Sequence, residues 1–154
     1  MMRLASAIAV LAVALPGIGH AQRRVVRAPI TESPQIGGHV GYNFDADHLF
    51  VGVQGSIPVG PQVDFYPSLD YYTIPHVTEW ALNLDFKLLP PKAPSWYFGT
   101  GLTLFHAGGN KSHLNVFGGW QARTGGLRPY AEAREILFGG SSFQVAGGLN
   151  LLLH

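Results

Sequence analysis

From residue 35 onward the chain alternates apolar with polar or small residues at a period of two, in blocks separated by turn residues. The clearest block is 143–153. Phe143, Val145, Gly147, Leu149, Leu151 and Leu153 fall on one face, and Gln144, Ala146, Gly148 and Asn150 on the other. The block before it, 127–138, sets Leu127, Ala131, Ala133 and Leu137 against Glu132 and Arg134. Such alternation predicts β-strands, because successive side chains leave a strand on opposite sides.

Six further blocks precede this hairpin. Residues 35–44 run through Ile36, His39, Gly41 and Phe44 and turn at Asp45-Ala46-Asp47. Residues 48–57 set Leu49, Val51, Val53, Gly55 and Ile57 against His48, Phe50, Gly52, Gln54 and Ser56, and Pro58-Val59-Gly60-Pro61 ends the strand. Residues 62–72 oppose Val63, Phe65, Leu69 and Tyr71 to Asp64, Tyr66, Ser68 and Asp70. Pro67 lies inside this block and has no N–H for a ladder, so a bulge or interruption is expected there. Residues 76–88 oppose Trp80, Leu82, Leu84, Phe86 and Leu88 to Glu79, Ala81, Asn83, Asp85 and Lys87. Residues 95–106 place Trp96, Phe98, Leu102 and Leu104 against Tyr97, Gly99, Gly101 and Thr103; residues 112–122 place Leu114, Val116, Gly118 and Trp120 against Asn115, Phe117, Gly119 and Gln121. A tilted strand crosses a bilayer in about 9–11 residues, which all eight blocks supply. An even strand number returns both ends of a barrel to one side.

Two parities fit this alternation. A soluble lipocalin-like barrel holds its apolar side chains inside and its charges outside. Here one set of positions collects Gly52, Gly99, Gly101, Gly119 and Gly148 together with Asp64, Asp85, Lys87, Glu132 and Arg134. Glycine marks places where backbone space is short, as inside a small barrel. The branched and aromatic set is too bulky for that volume, so it is assigned to lipid and the polar set to the lumen. The expected fold is all-β, an eight-stranded antiparallel up-and-down transmembrane β-barrel over residues 35–154.

Arg128-Pro-Tyr-Ala-Glu-Ala-Arg134, a Gly-Gly-Ser turn and Phe143-Gln-Val-Ala-Gly-Gly-Leu149 resemble the closing hairpin of the small bacterial outer-membrane β-barrels of the "outer membrane protein β-barrel domain" group. The resemblance implies a packed interior, residence in the cell outer membrane and insertion by the barrel assembly machinery. Members commonly finish on an aromatic residue that this machinery reads. The present chain ends Leu151-Leu152-Leu153-His154 and keeps only the parity of that signal.

Composition fits a membrane chain. Of 154 residues, 47% are hydrophobic and 12% charged, where a soluble domain carries roughly a quarter charged. Cysteine is absent, which excludes disulfides and a cysteine-linked lipid anchor. The net charge of +1 divides into +3 before Gln35 and −2 from there on. A near-neutral barrel is no polyanion binder, so no nucleic-acid partner is expected. At the N-terminus, Met1-Met2-Arg3, the apolar run from Leu4 to Leu15, Pro16-Gly17 and Gly19-His20-Ala21 read as a secretory signal peptide over 1–21, cut before Gln22. Residues 22–34 form a polar, basic periplasmic lead-in. No later apolar run reaches the about 20 residues of a transmembrane helix, which leaves a closed barrel as the way across.

Candidate chemistry is sparse. The inward charges Asp64, Asp70, Glu79, Asp85, Lys87, Glu132 and Arg134 predict a salt-bridged lumen network rather than an ion path, because an unpaired buried charge is costly. His48, His76, His106 and His113 gather near the outer strand ends with Asp45 and Asp47, but without the spacing of a metal site. No metal or cofactor is expected. Tyr42, Tyr71, Tyr72, Trp80, Trp96, Tyr97, Trp120 and Tyr130 are expected to form interfacial girdles. Ser112-His113 and Ser141-Ser142 are the serines near the outer rim, where a lipid A-modifying enzyme would need its nucleophile. Neither is flanked by a recognisable acylhydrolase motif, so no enzyme is expected. The predicted outer loops are short, and long recognition loops are missing. The expectation is a monomeric barrel in outer-membrane lipid with a structural or membrane-integrity role.

Overall fold

The computed structural model describes residues 33–137 and 141–153. The expected signal peptide and nearly all of the lead-in lie outside the described residues. Eight strands follow in order: β1 (Gln35–Asn43), β2 (His48–Gly60), β3 (Val63–Ile74), β4 (Val77–Leu88), β5 (Trp96–His106), β6 (Asn110–Gln121), β7 (Leu127–Leu137) and β8 (Ser142–Leu152). Each pairs antiparallel with its sequence neighbours, and β1 pairs with β8 from Gln35↔Leu152 to Asn43↔Gln144, closing the barrel. Among the described strands none is left as an edge.

Two prolines shape β2 and β3. Every residue of β3 pairs with β4, Pro67 opposite Leu84 included, and Gln54↔Ser68 and Ile57↔Phe65 keep one register on the β2 side. The missing N–H of Pro67 therefore interrupts the β2 ladder locally, without a bulge. The register shift lies instead between Pro58 and Gly60. An extra residue there releases the chain from the ladder where proline cannot donate to it, and β2 runs on through what reads as turn sequence.

The alternation of the sequence is the alternation of the wall. Outward positions carry Val40, Leu49, Val53, Phe98 and Leu149, which are 47 to 58% exposed. Inward positions carry Asp85 and Asn115 at 0%, Asn83 and Lys87 at 1%, and Gln144 and Asn150 at 2%. A folded chain with a dry apolar surface and a polar centre is the inverse of a water-soluble protein.

Three of the expected girdle tyrosines belong to the interior. Tyr72, Tyr97 and Tyr130 are 1, 3 and 5% exposed, because the parity of their strands turns them inward. Trp96, Trp120 and Tyr71, at 61, 40 and 46% exposed, do stand outside near strand ends. They are joined by Trp80, whose ring stacks on His106.

Candidate lumen site

Inward side chains meet in the lumen at positions that follow from strand register. At the end carrying the chain termini, Gln121 Nε2 donates to Gln35 Oε1 at 2.5 Å. Next inward, Lys87 Nζ donates to Ser56 Oγ at 2.7 Å and lies 3.4 Å from Asp64, while Ser56 donates to Asp64 Oδ2 at 2.6 Å. The ammonium also sits 4.5 Å from the centre of the Tyr66 ring, a cation–π contact. Tyr66 stacks on Phe117 at 5.7 Å, with Tyr97 edge-on to both. The three rings pack as one buried aromatic cluster.

Arg134 forms the centre of the next layer. Its Nη1 donates to Asp85 Oδ2 at 2.7 Å and its Nη2 to Glu132 Oε1 at 3.1 Å. Asp85 further accepts from Asn115 Nδ2 at 2.8 Å, and Glu132 from Tyr97 OH at 3.1 Å. Asp70 takes a third arm: Asn83 Nδ2 donates to it at 2.8 Å, and the imidazole Nε2 of His39 lies 2.7 Å from its other oxygen. On the opposite wall Tyr130 donates to Gln54, and Gln54 to Asn150. Towards the far mouth Gln144 Nε2 donates to Tyr72 OH at 2.7 Å.

Glycines make room for this network. A Cβ on Gly101 would run into Asp85 and the Leu84 carbonyl, and one on Gly52 into His39 and Asp70. The charged side chains lie flat against bare backbone.

Six of the seven sequence-predicted lumen residues thus meet in two clusters, Asp64 with Lys87, and Asp70, Asp85 and Glu132 around Arg134. Glu79 shares their parity but stands half-buried near the far mouth, outside the hydrogen-bonded set. His39, Asn83, Asn115, Gln54 and Tyr130 complete the network without having been singled out. Their inward parity was the available signal.

At the far rim the histidines scatter. His76 occupies the two-residue β3–β4 turn with φ +64°, and His106 Nδ1 is engaged by Asn110 Oδ1 at 2.6 Å. Among the described residues no three His, Cys, Asp or Glu side chains converge as metal ligands. Ser112 and His113 are successive residues of one strand, so their side chains leave opposite faces. Ser142 donates to Asn43 at 3.1 Å, and Ser141 is hydrogen-bonded to Glu135. A mouth cavity of about 490 Å³ opens above Tyr72 and Gln144.

Solved structures share this fold. The N-terminal β-barrel domain of Pseudomonas aeruginosa OprF is similar at TM-score 0.61 and 16% identity, over 79% of this chain and 98% of that one. The fold is that of the small transmembrane β-barrels. Neisserial surface protein A is similar at TM-score 0.58 and 14% identity, over 78% of this chain and 96% of that one. A de novo designed transmembrane β-barrel reaches TM-score 0.62 at 15% identity, over 79% and 95%. No protein-family model matches the sequence, and no curated protein sequence is similar to it.

Proposed function

We propose that the chain is an outer-membrane β-barrel whose role is structural, contributing to membrane integrity, with a lumen closed by its own side chains and no catalytic activity. The inverted wall supports this reading most directly: apolar side chains about half exposed all round the barrel, and Asp85, Asn115 and Lys87 at the centre with at most 1% exposure. Such a surface is stable in hydrocarbon and insoluble in water. Outer-membrane lipid is its surrounding partner, the barrel assembly machinery its route of insertion, and the monomer its working state, since closure leaves no strand to share.

Two observations support occlusion. Tyr66, Tyr97 and Phe117 pack as one buried aromatic cluster inside the barrel, and eight strands leave an interior just wide enough for side chains. No catalytic role is assigned: Ser141 is hydrogen-bonded to Glu135 and Ser142 to Asn43, and Ser112 and His113 leave opposite faces of their strand. The test is to fold the chain into detergent micelles or lipid vesicles and compare boiled with unboiled samples on a gel. A heat-modifiable, protease-resistant, β-rich form is expected. A chain that folds as a soluble monomer without detergent would replace this reading with a periplasmic lipocalin-like binding barrel.

A further inference from the structure

Around Arg134 the acidic side chains among the described residues outnumber the permanent cations. Among the described residues four carboxylates, Asp64, Asp70, Asp85 and Glu132, face two permanent cations, Lys87 and Arg134. Lys111 and Arg128 share the inward parity but stand at the two mouths, and Arg123 follows the end of β6. Arg134 is divided between Asp85 and Glu132, and Asp70 is left to His39. With these carboxylates ionised, even a protonated His39 adds only one positive charge among the described residues, and an uncompensated buried charge is costly.

A cavity lies where the deficit is. It measures about 20 Å³, and Asp70, Glu132, His39, Gln54, Ser68 and Tyr130 are among its walls. That volume admits one water-sized particle. His39, another of its walls, has a ring nitrogen with an unused bonding capacity. Its side chain is 5% exposed, its Nε2 is paired with Asp70, and its Nδ1 has no partner. With Nε2–H donating to the carboxylate, Nδ1 carries a lone pair.

We propose that this cavity binds a single monovalent cation of the sodium or potassium class. Carboxylate, amide and hydroxyl oxygens line it, and a hard monovalent ion accepts all three. A calcium-sized divalent ion takes about 6–8 oxygens. Here both carboxylates are already engaged, Asp70 by His39 and Asn83 and Glu132 by Arg134 and Tyr97, and the Arg134 guanidinium borders the site. Chloride would meet Asp70 and Glu132. The site rests on the closed barrel alone, whatever the barrel is embedded in.

The experiment is thermal unfolding of the full refolded chain at fixed pH and fixed ionic strength, exchanging choline chloride for sodium, potassium or rubidium chloride. Ligand linkage makes the midpoint rise by about 4 °C or more per tenfold increase once the cation exceeds its Kd. Crystals soaked in thallium(I) should show an anomalous peak beside Asp70 and Glu132. Glu132→Gln, which removes one carboxylate from the wall, should abolish the cation dependence. If that variant fails to fold, the wild-type titration and the thallium peak still decide. Equal midpoints in choline and in every alkali cation would overturn the proposal. So would a midpoint that follows pH but not cation identity, because a proton would then carry the missing charge. Refusal to enter micelles counts against the membrane reading instead, and the titration is then run in whatever solvent folds the chain.

Discussion

Arg134 on β7 reaches Asp85 on β4 with Nη1 to Oδ2 at 2.7 Å, across two intervening strands, and holds Glu132 with its other nitrogen at 3.1 Å. One guanidinium therefore ties distant parts of the wall together. Arg134→Met strands two buried carboxylates and is expected to cost about 3–5 kcal/mol, because breaking a buried pair from one side leaves an uncompensated charge. Adding Asp85→Asn should restore part of that loss. Urea titrations in lipid vesicles measure both, and a double variant no more stable than the single one would show that the pair is not the cause.

Neighbouring residues on β4 test the assignment of inside and outside. Leu84→Arg puts a charge on the lipid face and should cost about 2–4 kcal/mol if it lies near the midplane. Asp85→Asn keeps shape and a hydrogen-bonding group inside, so about 1–3 kcal/mol is the expected ceiling. Equal tolerance of the two changes, in the same vesicle titration, would mean that the parity is not real.

Gly101 carries the third prediction. A side chain there meets Asp85 and the Leu84 carbonyl, so Gly101→Val should destabilise by about 1–3 kcal/mol or more through overpacking. The control is Gly109, where a Cβ meets nothing within 4 Å. Gly109→Ala should leave the urea midpoint within about 0.5 kcal/mol of the parent, as for an ordinary surface change.

Reconstituted protein should pass no stable, large current, since the lumen of an eight-stranded barrel is filled by side chains. Sustained porin-sized conductance in a planar bilayer contradicts the proposed occlusion, whereas small flickering currents are compatible with it.

Period-two alternation made the wall legible: on β2 to β8 the faces named from sequence are the faces observed. β1 was blurred, since Ile36 and Phe44 lie on one parity and His39 and Gly41 on the other, and His39 was not recognised as a lumen residue. Girdle tyrosines were misplaced where propensity for interfaces was set above parity, as at Tyr97 and Tyr130. The partners inside the lumen were not legible. Asp85 pairs with Arg134, 49 positions away, rather than with Lys87 two residues on. That choice depends on which strands face each other across the axis, which local sequence does not encode. The bulge at Pro58 and Gly60 was masked by its own turn-like composition.

The pairing of Gln35 with Leu152 joins residues from opposite ends of the strand series. Until β8 is made, β1 lacks one of its two neighbours and the wall stands open along a whole seam. Hairpins can zip locally, but this last contact must wait for the complete chain, the slow kind of step expected of sequence-distant pairing. A newly made molecule therefore passes through an open sheet with two unsatisfied edges and a greasy face, the form most prone to stick to its copies. Survival in transit depends on an escort or on speed, and a truncation that removes only β8 should yield aggregate rather than a smaller barrel.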